Sequence, residues 1–438
     1  MSAMDREILK KVIADQRAYS PPKDYFFRTQ SETIRTYVTD PSIIIISGIR
    51  RSGKSTIMKT LQRELSESDY YINFEDDRLV QFKLSDFQTL LEVFIELFGK
   101  QSTFYFDEIQ NVEGWETFIR RLHDQNNKIF ITGSNARLLS RELGTHLTGR
   151  YIPVEVYPLS FKEIVVHKHP EIVFNKFLGT TEIGLGLQSF ANYMINGGIP
   201  DFVKYAQDEY LRSLYEGILY RDIITRHGIT LKKPLKELVY YLASNIGKEI
   251  SYSNLCKLLS IGSANTISTY CGYLQDSYLC FFVNRYSHSL QKQILYHKKC
   301  YFIDPAIIRL IGFRVSEDRG RLLENIAFLK LQTLKYEIFF HKQTKECDFL
   351  LRQGNKIIQA IQVTVSLNNP ETRERELNGL LEAMKEYNLN KGLILTEAEE
   401  ETIELIQNEN KYFITVIPLW RWLLISDVSD GAKDVNDR

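Results

Sequence analysis

Short apolar runs alternate with amphipathic stretches through the first part of the chain. Ile43-Ile44-Ile45-Ile46 is β-branched throughout, which reads as a parallel strand covered on both faces. A glycine-bearing turn follows, and then Ile57-Met58-Lys59-Thr60-Leu61 carries a helical pattern. Thr103-Phe104-Tyr105-Phe106 predicts a second strand, Lys128-Ile129-Phe130-Ile131 a third, and residues 151–156 a last one. From about residue 171 to 229 the pattern turns helical and aromatic. It breaks at Asn196-Gly197-Gly198-Ile199-Pro200-Asp201, where two glycines and a proline mark a turn. Helices are predicted over 235–246, 251–259 and 265–274, then strands over 279–285 and 299–304. Beyond Gly320 a fresh α/β pattern begins: a helix from Leu322, then strands over 337–341, 348–352 and 357–365, the last two joined by the hairpin turn Gly354-Asn355. A helix over 371–387 and strands over 392–396 and 413–418 complete it.

Composition changes this picture little. At 438 residues there is room for two to four domains with cores of their own. A formal net charge of zero removes a global basic field as a sign of a polyanion partner, while leaving local basic surfaces open. The most apolar stretch, 90–98, is short and broken by Glu92 and Glu96, and the first residues lack the apolar core of a signal peptide. The five cysteines (Cys256, Cys271, Cys280, Cys300, Cys347) form no C-x-x-C pair, which suits reduced thiols in a cytoplasm. A cytoplasmic protein without membrane contact is expected.

The candidate chemistry sits directly after the tetra-isoleucine run. Gly48-Ile49-Arg50-Arg51-Ser52-Gly53-Lys54-Ser55 is a G-x-x-x-x-G-K-[ST] phosphate loop, with Thr56 following. Its glycines let backbone amides wrap a phosphate at a helix N-terminus. Lys54 would neutralise the β/γ-phosphates and the Ser55 hydroxyl would ligate Mg²⁺. The second strand ends in Asp107-Glu108: Asp107 is expected on Mg²⁺ and Glu108 on the attacking water. The third ends in Ser134-Asn135, either of which can sense the γ-phosphate, with Ser134 slightly preferred. Arg150, with Arg141 as alternative, is placed to reach the nucleotide of a neighbouring subunit. ATP and Mg²⁺ are the expected cofactors.

The order G-I-R-R-S-G-K-S-T, Y-F-D-E-I-Q, I-T-G-S-N, L-T-G-R and Y-P-L-S-F over Gly48 to Phe161 resembles the AAA+ ATPases of bacteria and archaea that carry a C-terminal domain of uncharacterised function. The resemblance implies an α/β fold with the phosphate-loop strand in the centre of a parallel sheet, homo-oligomers sharing ATP sites, and a helical lid in which Tyr220-Arg221-Asp222 fits the pattern. Arg221 or Arg226 would touch phosphate from that lid. The expected organisation is an ATPase core over 1–165, a lid over 166–230, a winged helix over 231–312 and a nuclease-like α/β domain over 313–438.

In the winged-helix region Asn265, Thr266, Ser268 and Thr269 would face a groove, and Lys292, Lys298 and Lys299 would add phosphate contacts. The last domain resembles the restriction-endonuclease-like fold attached to the same ATPases. By that motif, Glu324 and Asp348 stand at the acidic positions, but the third-strand E-x-K falls on Gln362 and Thr364; Glu346 is a substitute ligand. Gln is a poor Mg²⁺ ligand and Thr supplies no positive charge, so a degenerate nuclease fold is expected. Trp420-Arg421-Trp422 reads as an apolar cap on this domain. The functional expectation is an ATPase with a nucleic-acid-linked motor or switch role. Its rivals are an ATP-dependent protein-interaction scaffold and, behind it, an ATP-controlled nuclease.

Overall fold

A computed structural model describes residues 4–18, 24–135, 147–170, 179–313, 319–407 and 410–424. The chain divides into two compact units, Met1–Pro158 with Asp276–Tyr278 and Leu159–Gln275 with Leu279–Arg438.

In the first unit, β1 (Ile43–Ser47), β2 (Tyr71–Asn73), β3 (Thr103–Asp107), β4 (Lys128–Gly133) and β5 (Tyr151–Glu155) form a parallel sheet in the order β2-β3-β4-β1-β5. The continuous isoleucine run of β1 follows from burial on both faces. Ile43 and Ile45 join one core, with residues of the helices Arg6–Ala18, Phe87–Phe98 and Trp115–Asp124. Ile44 and Ile46 join the other, beneath the helices Thr29–Thr36 and Lys54–Glu64. The middle place in the sheet belongs to β4, not to the phosphate-loop strand. β1 is interior, between β4 and β5. That suffices physically, because the loop needs a strand paired on both sides and not a particular rank.

The second unit holds one nine-stranded sheet, with β6 (Glu249–Ile250), β7 (Cys280–Arg285), β8 (Lys298–Phe302), β9 (Glu337–Lys342), β10 (Glu346–Gln353), β11 (Lys356–Val363), β12 (Lys391–Thr396), β13 (Glu401–Gln407) and β14 (Asn410–Pro418). The order is β13-β14-β12-β11-β10-β9-β7-β8-β6. Strands that the sequence assigns to regions 231–312 and 313–438 therefore share a sheet, joined where Asn284 and Arg285 pair in parallel with Phe339 and Phe340. β13 lies at the edge of the sheet, where its apolar residues Ile403 and Leu405 are only partly buried, so its sequence carries no strong strand signal. Trp420 and Trp422 are buried on the helix Leu419–Leu424. Trp420 packs on Gly186 of the helix Thr180–Asn196, where any Cβ would lie 2.6 Å from its ring. Cys271, Cys280, Cys300 and Cys347 are buried free thiols. Among the described residues no helix is long and apolar enough to cross a membrane.

Candidate functional site

The loop after β1 takes its shape from three left-handed or forbidden-region residues: Gly48 (φ +152), Arg51 (φ +65) and Gly53 (φ +97). Gly48 admits nothing larger, since a Cβ would fall 2.0 Å from the Val156 carbonyl oxygen. Gly53 caps the helix Lys54–Glu64, whose free amides face the concavity of the loop. Arg28, buried, braces the loop from behind by donating to the Ser52 carbonyl (2.5 Å) and the Tyr157 carbonyl (2.6 Å). The Ser52 hydroxyl is buried without a hydrogen-bond partner, a donor left over inside the loop. Arg50 pairs with Glu75 (2.8 Å) on the loop's rim.

Lys54 donates to the Ile49 carbonyl (3.2 Å) and lies 3.5 Å from a Glu108 carboxylate oxygen. The Ser55 hydroxyl donates to Asp107 Oδ1 (3.0 Å). Asp107 ends β3 fully buried and accepts four bonds. Ser55 and Thr132 serve Oδ1; Tyr71 (2.9 Å) and Asn73 (3.3 Å) serve Oδ2. Burial, and then the neighbouring Glu108 charge, still push the Asp107 carboxyl above its ordinary range. Glu108 sits at φ +51, its backbone amide held by the Thr132 hydroxyl (2.9 Å). Gln110 donates both to Glu108 Oε2 and to Ser134 Oγ (3.4 Å), which ties the ends of β3 and β4 together. Ser134 and Asn135 are both buried at that end of β4. Thus Gly48 through Thr56, Asp107, Glu108 and Ser134 lie at the C-terminal ends of β1, β3 and β4.

Arg150 lies elsewhere. It precedes β5, at the opposite end of the sheet, where its carbonyl accepts from Ile43 N (2.9 Å) and its side chain pairs with Asp124 (3.1 Å). Arg141 lies outside the described residues. Arg28, Tyr71, Asn73, Gln110 and Thr132 escaped the sequence reading. Gln110 and Thr132 stand inside the motif strings, but Arg28, Tyr71 and Asn73 reach the site only through folding.

In the second unit, Glu324 lies on the helix Arg319–Thr333, and Glu346 and Asp348 lie on β10. All three carboxylates converge on Lys299 of β8 at 2.9, 2.8 and 3.1 Å respectively. Lys299, expected in a phosphate-contacting wing, is 1% exposed and points inward. Its apolar flanks on β8, Cys300 and Tyr301, already marked that strand as core. Gln362 takes up its amide internally, donating to Glu376 and accepting from Asp348 N (3.3 Å). Thr364 follows the end of β11 and donates weakly to the Ser366 carbonyl (3.5 Å), so it takes no part in this cluster. Asn265, Ser268 and Thr269 are exposed on the helix Ala264–Asp276, with Thr266 half-buried. Lys292 is exposed and Lys298 half-buried over the Tyr252 ring. Arg221 lies in the π-helical run Ile218–Thr225, and Arg226 caps it.

Comparison with known proteins identifies the domain that carries the first site. Residues 40–165 match the family described as an AAA domain, and residues 187–317 match a domain of unknown function (DUF8612). An uncharacterized protein of Methanocaldococcus jannaschii is 33% identical over 398 residues, covering 87% of this chain and 88% of its own. An uncharacterized protein of Haemophilus influenzae is 31% identical over 382 residues, covering 83% and 92%. AMPPCP-bound DnaA from Aquifex aeolicus aligns over 58% of this chain and 92% of its own at 13% identity, with a TM-score of 0.26, too low to carry an argument. With its phosphate loop, its parallel sheet and relatives matched over most of their length, the chain belongs to the family of AAA-domain proteins that includes these archaeal and bacterial members.

Proposed function

We propose that the first unit binds and hydrolyses ATP with Mg²⁺. The observation that carries this reading is the Ser55–Asp107 hydrogen bond (3.0 Å) beside Lys54, with Glu108 next in the chain. The donor set suits the metal: a hydroxyl and a carboxylate, both hard oxygens, converge at a buried acid whose charge burial disfavours. Ser55 and Asp107 would hold Mg²⁺, which when bound offsets phosphate charge. The amides of Gly48–Thr56 and the Lys54 ammonium bind and orient the phosphates. Glu108, oriented by Gln110 and Thr132, takes the proton of the attacking water, and Ser134 lies within reach of the same water through Gln110. Arg150 points away from this crevice, so it serves catalysis only in a second copy, after release from Asp124. The reading is tested with two variants. Lys54→Ala should lose nucleotide affinity, whereas Glu108→Gln should bind ATP and turn it over slowly. Equal loss of binding in both would remove Glu108 as the base.

For the output of that cycle we favour a nucleic-acid-linked motor or switch. The run of helices and strands from 232 to 302 follows a winged-helix order, and the helix Ala264–Asp276 offers exposed Asn265, Ser268 and Thr269. One observation favours the protein-scaffold alternative. Leu290, Ile294 and Leu295 on the short helix of the wing are about 70% exposed (71%, 67% and 73%), a surface fit for protein and unhelpful on phosphate. DNA-stimulated ATP turnover decides: stimulation abolished by Lys292→Glu with Lys298→Glu supports the first, and turnover indifferent to DNA supports the second. The order helix, three strands, helix, three strands after residue 319 supports a degenerate nuclease-like fold as the last domain.

A further inference from the structure

The ammonium of Lys299 is enclosed by acids that come from elements distant in the chain. β8 lies three places from β10 in the sheet, so neighbouring strands ~4.8 Å apart would leave their backbones some ~14 Å apart if the sheet were flat. Contact at 3.1 Å between Lys299 and Asp348 therefore requires the sheet to curl around this point. The junction of β7 with β9 spans two residue pairs only, and β10 shifts register between Cys347 and Leu350, which gives the curl its place.

The enclosure is specific. An ammonium has three N–H donors, and here three carboxylates, those of Glu324, Glu346 and Asp348, take one each. Each carboxylate is also held by a second donor. Glu324 Oε1 accepts from the Tyr301 hydroxyl (2.6 Å), Asp348 Oδ2 from Val363 N (3.0 Å), and Glu346 Oε2 faces Lys342 (3.3 Å), which itself holds Glu249. The helix carrying Glu324 is docked by Asn325, which both accepts from Phe302 N (2.8 Å) and donates to the Phe302 carbonyl (2.9 Å). Gly247 closes the far side, where a Cβ would sit 2.7 Å from Glu324 Oε2. Removing any one of these charges would strand the others, because a buried ion without its partner costs far more than the pair contributes.

We propose that Lys299 is the resident cation of this centre: its ammonium stands where a divalent ion would stand, so the intact domain holds no metal there, and the carboxylates accept a divalent cation only once that ammonium is removed. Three carboxylates converging within hydrogen-bond reach of one point form a cation socket, and the socket is filled from within the chain. The arrangement also ties β8 to β10 and to the helix Arg319–Thr333, so the ion cluster is a joint within the second unit. The inference is independent of ATP binding in the first unit.

The test uses the nucleotide-free full chain and Mn²⁺, read by electron paramagnetic resonance and by thermal unfolding. Wild type should bind no Mn²⁺ that Asp348→Asn removes, and Mn²⁺ should leave its unfolding temperature unchanged. Lys299→Met should unfold several degrees lower, gain a bound Mn²⁺, and recover much of that loss when Mn²⁺ is added. The gain should vanish in Lys299→Met with Asp348→Asn. Wild-type Mn²⁺ binding that Asp348→Asn abolishes would overturn the proposal, as would a Lys299→Met protein that neither loses stability nor responds to Mn²⁺. If Lys299→Met fails to fold without metal, refolding rescued by Mn²⁺ supports the socket. If metal does not rescue it, the wild-type titration decides by the same criterion.

Discussion

Arg28 offers the sharpest way to separate the shape of the phosphate loop from its sequence motif. The residue is 5% exposed, and its guanidinium spans two backbone carbonyls, one inside the loop at Ser52 and one beyond β5 at Tyr157. Arg28→Met keeps the apolar stem and deletes both charge-assisted donors. Each carbonyl then lies buried without its donor, at a cost of about 1–3 kcal/mol apiece, or about 2–6 kcal/mol together. That is a large part of a typical folding free energy of about 5–15 kcal/mol. If even about 1.4 kcal/mol of it is spent in releasing the loop from its binding shape, nucleotide affinity falls tenfold. Arg28→Lys should be intermediate, since a point charge cannot span both oxygens as the planar fork does. The assay is nucleotide affinity in a Glu108→Gln background, beside thermal unfolding of the same proteins. Unchanged melting and unchanged affinity in Arg28→Met would refute the brace outright. Lower melting with wild-type affinity would show that the loop holds its own shape and that Arg28 serves the fold alone.

Other expectations follow from burial. Asp304 caps the helix Pro305–Ile311 and accepts from Gly198 N (2.6 Å); burial raises its carboxyl from 3.8 to about 7, and burial with Asp348 raises Glu324 from 4.5 to about 7. Both hold their protons more tightly folded than unfolded, so their contribution to stability is complete at low pH and is lost as pH climbs from about 4 to 7. Asp304→Asn should flatten that fall in urea midpoints; an unaltered slope would refute the assignment. Lys128 donates to the carbonyls of Tyr37, Asp40 and Ser42 (2.8, 2.6 and 2.9 Å), yet burial lowers it to about 8. A base lowered by folding makes stability rise from about pH 8 to 10.5, and Lys128→Met should remove that rise while lowering stability at pH 7. Gly198→Ala puts a Cβ 2.0 Å from the Leu159 carbonyl oxygen and should abolish soluble expression, whereas Gly217→Ala meets nothing within 4 Å and should be neutral or stabilise by up to about 1 kcal/mol. Equal yields of the two would refute the close approach.

What sequence can disclose about such a chain depends on whether a residue's role is local. The phosphate loop was legible because its chemistry is written in consecutive positions: strand, glycines, Lys54 and Ser55 must follow one another to present amides at a helix N-terminus. Asp107 and Glu108 were legible for the same reason, as acids ending a buried strand. Arg28, Tyr71 and Asn73 were not, because Arg28 precedes the helix Thr29–Thr36 and the other two lie on β2, and all three reach the site through tertiary packing, with no spacing to betray them. Lys299 shows the limit most clearly. At the start of a strand beside Lys298 it looks like one more surface cation, and the motif that asks for a positive charge asks for it at Thr364, just past the end of β11. Only the curl of the sheet brings β8 to the acids. A vacancy in a motif is thus weak evidence of lost chemistry or lost structure, because a charge demanded by three buried carboxylates must be supplied from somewhere. Here the supplier sits 49 residues upstream of Asp348, and the need for it was visible in the acids themselves.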